Sequence, residues 1–592
     1  PANGTNEAGI LNLYGDGTYA PTLGSYGGLN GGGADANFGQ KPFKFPPPDG
    51  FQPLSLSNVQ PEKVIARPDQ YVDIATWTGD GTNGSGTSND RQVTGLGHKP
   101  DLVWCKIRTQ SYTHVLWDSV RGPGVNKELQ PNEPNQEGSA STNVSGYITE
   151  FTSDGFKTVT GTTDNDYFDR LNDTYVAWCW KAGGDKNTFN IDDVGYANAS
   201  DVNMNVGSLN SSAYNQSQNW TALGTGDGAG SPYDWEHTFD GDSSTYGAIA
   251  PQGSSLNLDL TGLSGGGISY SQSVVITYNR NSSAPDVTVN GSAISATADG
   301  TDRTYTLTGS GLLTSVGGLQ RTAAGSGDMG IKKIVVDGKE LVDSGVTPST
   351  NLPSIAATGS SVGTKQGFSI VKFTGDSTTT GSIAHGLNKK PQFVIVRDLV
   401  NNDDWQIKFV DENLYLKFNT TDAGSTSYSN YTATDSVINL GYTWNNDSSP
   451  HIAYSWHDVP GLQKFGTYTG NTIGDGPFIE LGFQPAIIWI KDVTNGSNRH
   501  WCVVDSSRTT YNKSASAEVL FFDSNQIESR PDDGFGQFGS KPCLDILSNG
   551  FKLREPNTNG VWTQTNNNHN YIYAAWAEAP SINLYGAQSN AF

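Results

Sequence analysis

Tyr175-Val176-Ala177-Trp178-Cys179-Trp180, His451-Ile452-Ala453-Tyr454-Ser455-Trp456 and Tyr571-Ile572-Tyr573-Ala574-Ala575-Trp576 are three versions of one aromatic-rich strand. Each closes a segment that opens on an aromatic residue, Thr and Gly: Trp77-Thr78-Gly79, Phe373-Thr374-Gly375 and Tyr468-Thr469-Gly470. Between opening and close, each segment carries a Pro followed by an apolar strand: Pro100 to Lys106, Pro391 to Arg397 and Pro485 to Lys491. A period of roughly 100 residues is the size of a whole β domain rather than of a solenoid turn. The repeated features are strands and aromatics, with no acid, base or metal ligand common to all three. This is the signature of a structural or binding array more than of an enzyme.

Composition agrees with a β reading. Gly 71 and Pro 27 make up about one residue in six of the 592, and Thr, Ser and Asn are plentiful. Such residues supply turns. Charged residues are only 16% and Met occurs twice, so the material for long helices or coiled coils is lacking. The expected fold class is all-β: tandem β-sandwich or jelly-roll domains with long loops and almost no helix. The net charge of -23, with basic residues scattered, argues against a nucleic-acid partner. No stretch approaches the ~20 apolar residues of a membrane span, which argues against membrane insertion by a helix. Four cysteines, Cys105, Cys179, Cys502 and Cys543, form neither a disulfide framework nor a CxxC zinc pattern, and read as buried thiols.

The expected organisation has seven parts. Residues 1–70 are irregular, with a Gly-rich stretch and a Pro stop at Phe43 to Gly50. The echo of Asn12-Leu13-Tyr14-Gly15 in Asn583-Leu584-Tyr585-Gly586 suggests that the first residues are the tail of an upstream unit. Repeat one covers 71–185 and a different β-sandwich 186–347. A Ser/Thr/Gly-rich linker, 348–367, leads to repeat two, 368–461. Repeat three follows directly at 462–580, then a tail, 581–592. The direct abutment predicts a rigid tandem. In the different unit, Val335-Val336-Asp337-Gly338-Lys339 reads as a hairpin with Asp-Gly at its turn.

Candidate sites each have a structural reading beside the functional one. Trp178 and Trp180, two apart on one strand face, and their counterparts Trp456 and Trp576 could stack on sugars, but a Trp repeated in a closing strand is first a packing anchor. Asp118-Ser119-Val120-Arg121 and Asp505-Ser506-Ser507-Arg508 place an Asp and an Arg three apart, which suits an ion pair fixing a turn. The same pair is missing from repeat two. Asp240, Asp242 and Thr245 around Gly241 could give oxygen ligands to Ca²⁺, with Asp234 or Glu236 adding to them. The same letters also make an ordinary turn. Eight histidines show neither HxH nor HExxH. GxSxG occurs at Gly262 to Gly266 and at Gly359 to Gly363, without the strand-then-helix setting of a nucleophile elbow. No catalytic or organic-cofactor residues are assigned, and Ca²⁺ is the one cofactor entertained.

Taken together, the Thr-Gly opening, Gly95-Leu96-Gly97-His98-Lys99-Pro100 or Gly386-Leu387-Asn388-Lys389-Lys390-Pro391, Ser153-Asp154-Gly155-Phe156 or Ser548-Asn549-Gly550-Phe551, and the Trp-bearing closing strand resemble a repeat domain of virion and tail-fibre proteins in marine tailed phages, cyanophages above all. Repeat two departs from it, with Leu440-Gly441-Tyr442-Thr443-Trp444 standing where the Asp-Gly-Phe turn should be. Asn37 to Phe51 resembles the edge of a SPRY-like sandwich in the same proteins. The unit at 186–347 resembles a discoidin or family-32 carbohydrate-binding module, whose Asp-Gly-Asp-x-x-Thr turn holds structural Ca²⁺. The resemblance implies a phage virion appendage protein, a tail fibre or receptor-binding fibre recognising host surface polysaccharide. It further implies a homotrimer of this chain attached to other virion proteins. A structural capsid fibre, decoration or tail-body protein is the alternative, and a polysaccharide depolymerase with carboxylates at a subunit seam a third.

Overall fold

The computed structural model describes residues 65–580 except 82–90, 140–141, 162–166, 207–217, 228–233, 242–246, 250–254, 271–272, 281–285, 295–300, 319–328, 345–351, 428–430, 442–443, 445–446, 497–498, 509–517, 529–542, 555–563 and positions 338, 379, 388 and 412. The readings placed on residues 1–64 and on the 581–592 tail lie outside the described residues. What is described is nearly all β, with helix limited to short turns, as expected.

The three repeats share one topology. In each, the opening strand pairs antiparallel with the closing strand, which pairs with the central apolar strand, which pairs with the strand after it. In repeat one these are Val72–Thr78, Thr174–Trp180, Leu102–Ile107 and Val115–Asp118. In repeat two they are Phe368–Thr374, Pro450–Trp456, Phe393–Asp398 and Gln406–Phe409, and in repeat three Gln463–Thr469, Asn570–Pro580, Phe483–Asp492 and Cys502–Asp505. A three-stranded sheet covers one face each time: Arg91–Thr94, Gly155–Val159 and Tyr147–Thr152 in repeat one. Its counterparts are Ser382–Ala384, Val437–Asn439 and Thr432–Ala433, and Phe478–Glu480, Gly550–Leu553 and Leu544–Leu547. In repeat two the hairpin turn corresponding to Ser153-Asp154 therefore lies at Asp435-Ser436, not at Leu440-Gly441.

The central strands are apolar without alternation because both of their faces are buried. Val103, Cys105, Ala177 and Cys179 point to the three-stranded sheet of repeat one. Leu102, Trp104, Trp178 and Trp180 point the other way, into a core that all three repeats build together. The closing Trp residues meet there edge to face: Trp180 to Trp576 at 5.4 Å and Trp456 to Trp576 at 6.2 Å between ring centroids. Trp489 lies 4.6 Å from Trp576 and 5.6 Å from Trp104. The packing-anchor reading of these tryptophans holds; none is more than 2% exposed.

Seam hydrogen bonds establish the arrangement. His114, Trp405 and Trp501 are equivalent, each standing one residue before the residue that pairs with Cys105, Val396 and Ile490 respectively. His114 Nε2 bonds the Phe521 carbonyl, Trp405 Nε1 the Gln130 carbonyl and Trp501 Nε1 the Lys417 carbonyl, each at 3.0 Å. The acceptors are equivalent too, since Phe521 pairs with Cys502, Lys417 with Gln406, and Gln130 follows the Leu116–Leu129 bridge. Repeat one thus reaches repeat three, three reaches two, and two reaches one. Three head-to-tail contacts that return to their start make a closed ring about a pseudo-threefold axis. The repeats abut as expected, but the array is closed upon itself rather than laid end to end.

Two segments differ from the expected boundaries. The 348–367 stretch contains a strand, Ala357–Gly363, paired with Phe368–Thr374. The hairpin Phe189–Ile191 and Val194–Tyr196, placed by sequence in the middle unit, joins the same sheet through a parallel pairing with that strand. Short Ser/Gly-rich strands buried by neighbours look like linkers because their sequence carries little hydrophobic signal. The middle unit proper is a sandwich of two five-stranded sheets around Trp235, Phe239, Ile276, Val316 and Ile334.

Candidate functional site

A cavity of about 430 Å³ opens beside repeat one, lined by Gln70, Tyr71, His98, Lys181, Lys365 and Gln366 among others. Four local structures bring these residues together. Tyr71 sits at the foot of the opening strand. Lys181 directly follows the closing strand, and its backbone N–H donates to the Tyr71 carbonyl at 2.8 Å. Asp192 and Asp193, both at positive φ (49° and 66°), form the two-residue turn of the 189–196 hairpin. Lys365 and Gln366 come from the turn between Ala357–Gly363 and Phe368–Thr374.

The walls are tied by polar contacts. Lys181 Nζ pairs with Asp193 at 2.7 Å and Lys99 Nζ with Asp185 at 2.8 Å. Asp192 accepts from the Thr364 N–H and hydroxyl at 2.9 and 2.5 Å. Gln366 Nε2 donates to the Ala182 carbonyl at 2.6 Å. Lys365 is exposed. His98 is 4% exposed, and burial depresses its pKa to about 4, so the ring is neutral. Its Nδ1 lies 2.8 Å from the Asp69 carbonyl, which can only accept, so Nδ1 carries the proton. Nε2 is left as a buried acceptor without a partner. Nearby Asp101 accepts from the Ala182 and Gly184 N–H groups, and burial raises its pKa to about 6.

The residues singled out from sequence fall in several places. Asp242 and Thr245 lie outside the described residues, so the proposed Ca²⁺ ligands are not brought together or separated here. Asp240 is half-buried, and Asp234 caps the short Trp235–Thr238 turn, its carboxylate 2.5 Å from His237 Nδ1. Asp118 and Arg121 form the expected buried pair at 2.5 Å, as do Asp505 and Arg508 at 2.6 Å. They also stand at the seams: Trp178 Nε1 donates to Asp505 at 2.8 Å and the Tyr454 hydroxyl to Asp118 at 2.7 Å. Repeat two lacks the motif because Phe409 holds the Asp position; its counterpart across the third seam is Ala574, and both are buried in the shared core. Of the GxSxG matches, Gly262–Gly266 lies in a turn and Gly359–Gly363 within a strand. All four cysteines are buried free thiols.

Sequence reasoning missed the pocket, whose lining is assembled from segments far apart in the chain. It also missed the role of the basic residue one before the end of every central strand. Lys106, Arg397 and Lys491 are fully buried and donate to backbone carbonyls. Arg397 reaches Pro134 and Asn135 of repeat one, and Lys491 reaches Thr421 of repeat two. The recurring Lys/Arg after each apolar run was the available signal.

Residues 67–231 and 339–580 match a family described as a domain of unknown function, DUF7483, and the chain belongs to that family. The match takes in all three repeats and passes over residues 232–338, most of the middle sandwich. No curated protein matches the chain.

Proposed function

We propose that this member of the DUF7483 family is a phage virion appendage protein, a tail fibre or receptor-binding fibre, and that it holds a host surface polysaccharide in the cavity beside repeat one. The observation that carries the reading is the cavity's chemistry. An aromatic residue, Tyr71, and ammonium groups suit a hydroxyl-rich ring with an apolar face. Exposed Lys365 favours glycans bearing carboxylate or phosphate. Loops held by a packed scaffold are a common place for binding residues. A homotrimer of the chain would multiply such weak contacts by avidity. The middle sandwich, with its discoidin-like turn, is a second sugar-binding candidate, holding Ca²⁺ at Asp240, Asp242 and Thr245.

The test is calorimetric titration of the full chain with host surface polysaccharide. Tyr71→Ala and Lys365→Glu should each weaken binding about tenfold, some 1.4 kcal/mol. Unchanged binding in both variants would move recognition away from this cavity; no binding by the wild type would remove the receptor reading. The structural alternative, a capsid or tail-body protein, is favoured by the ring itself, which places three equivalent lobes around one axis within a single chain. It predicts that the chain sits on the particle body and is dispensable for adsorption.

A further inference from the structure

In repeat two the central strand ends on Asp398, and the turn after it is closed by Val400 and Asn401 N–H groups donating to Oδ1 at 2.7 and 2.8 Å. Repeat three begins the same turn with Asp492, which accepts from Thr494 and Asn495 N–H groups. The two carboxylates are met differently. Asp492 Oδ2 has Arg499 Nε at 3.5 Å and His569 Nδ1 at 2.6 Å. By register, repeat two has Asp403 in place of Arg499 and Ser449 in place of His569. It then adds a second carboxylate, Asp447. Ligand atoms of Asp398, Asp447 and His451 all lie within 4.8 Å of one another. Among the described residues no Lys or Arg forms an ion pair with Asp398 or Asp447.

Two further features converge on this triad. Asn401 Nδ2 sits between the carboxylates, 2.9 Å from Asp398 Oδ2 and 2.6 Å from Asp447 Oδ2, with the Ser449 hydroxyl at 3.1 Å. His451 is 2% exposed, and its Nδ1 lies 2.8 Å from the Ser449 carbonyl, which assigns the proton to Nδ1. In the neutral ring Nε2 is therefore a lone pair, and it faces Asp398 Oδ2 at 3.5 Å. An imidazole oriented by a backbone carbonyl, with its other nitrogen turned to carboxylates, is the arrangement of a metal-ligating histidine.

We propose that Asp398, Asp447 and His451 bind a divalent transition-series cation, Zn²⁺ or Mn²⁺, with the amide oxygen of Asn401 and the Ser449 hydroxyl available as further ligands after rotation of the Asn401 amide. The imidazole favours Zn²⁺ over Ca²⁺ or Mg²⁺, and the two carboxylates suit Mn²⁺. The site is structural. It pins the turn after Asp398, which docks on repeat one through Glu137 N–H to the Leu399 carbonyl at 3.1 Å and Gln136 N–H to Asn402 at 3.0 Å. The cation thus fastens one seam of the ring.

The experiment strips the full chain with a chelator and titrates it with Zn²⁺ and with Mn²⁺. The wild type should bind one more equivalent of one of these ions than Asp447→Asn and His451→Gln variants do, or bind it at least tenfold more tightly, and its Tm should rise on loading. Co²⁺ should give visible absorption bands in the wild type that Asp447→Asn lacks; this half-buried substitution covers the case in which His451→Gln fails to fold. Equal binding by wild type and Asp447→Asn, with no Co²⁺ bands from the wild type, would overturn the proposal.

Discussion

Single residues at the seams carry large energies because they are buried and charged. Asp505 accepts from its own Arg508 and from Trp178 of repeat one, and Asp118 accepts from Arg121 and from Tyr454 of repeat two. Removing one member of a buried pair leaves the other uncompensated, at about 3–5 kcal/mol. Asp118→Ala should therefore lower stability by about that amount in denaturant titration. Tyr454→Phe, which removes one hydrogen bond to a charged group, should cost about 1.5–3 kcal/mol. The sequence made the Asp–Arg spacing legible as a turn. It could not show the seam partners, which differ in kind (an indole and a phenol) and lie hundreds of residues away.

Protonation acts at the same scale. Burial holds His98, His385 and His457 near pKa about 4, against an ordinary 6.5. Above pH 6.5 these groups are neutral in both states and contribute no pH dependence. As pH falls from 6.5 toward 4 the unfolded chain takes up protons that the folded chain refuses, so stability is lost. Asp101, raised to about 6, works the other way, since the folded state binds its proton first between pH 6 and 3.8. The buried histidines, with His114 pushed the same way, outweigh Asp101 and the smaller upward shifts that burial gives Asp73, Glu133, Asp458 and Glu578, and the Tm should drop between pH 6.5 and 4. His385→Gln, at a fully buried position away from the cavity, should flatten the drop. A Tm that is level or rises over this range would contradict the assignment.

Elements were legible in proportion to their hydrophobic signal. The central and closing strands announced themselves by apolar, aromatic runs, and their burial on two faces explains why these runs do not alternate. Ala357–Gly363 was hidden, since Gly359, Ser360, Ser361 and Gly363 read as linker. They fit because the strand is covered: Ser360 and Ser361 are fully buried and Ser361 Oγ accepts from Gly183 N–H at 2.9 Å. Hydrogen exchange should find the Ser360 amide, bonded to the Thr188 carbonyl at 3.0 Å, protected like that of a central strand. Exchange at the rate of an open linker would refute the pairing.

At the scale of the whole molecule, the repetition was legible and its closure was not. Three copies in a row are equally compatible with a rod and with a ring. The choice is made by contacts such as His114 to Phe521, Trp405 to Gln130 and Trp501 to Lys417, whose equivalence appears only once strand register is known. The shared core has a thermodynamic consequence. Trp104, Trp180, Trp456, Trp489 and Trp576 are buried by neighbouring repeats as well as their own, so no repeat can unfold without exposing the others' aromatic surface. Differential scanning calorimetry of the full chain tests this most directly. The ring predicts one cooperative transition for the three repeats, shifted as a whole to lower temperature by Trp576→Ala, whatever the middle sandwich does separately. A separate transition for each repeat, with only that of repeat three moved by Trp576→Ala, would contradict it.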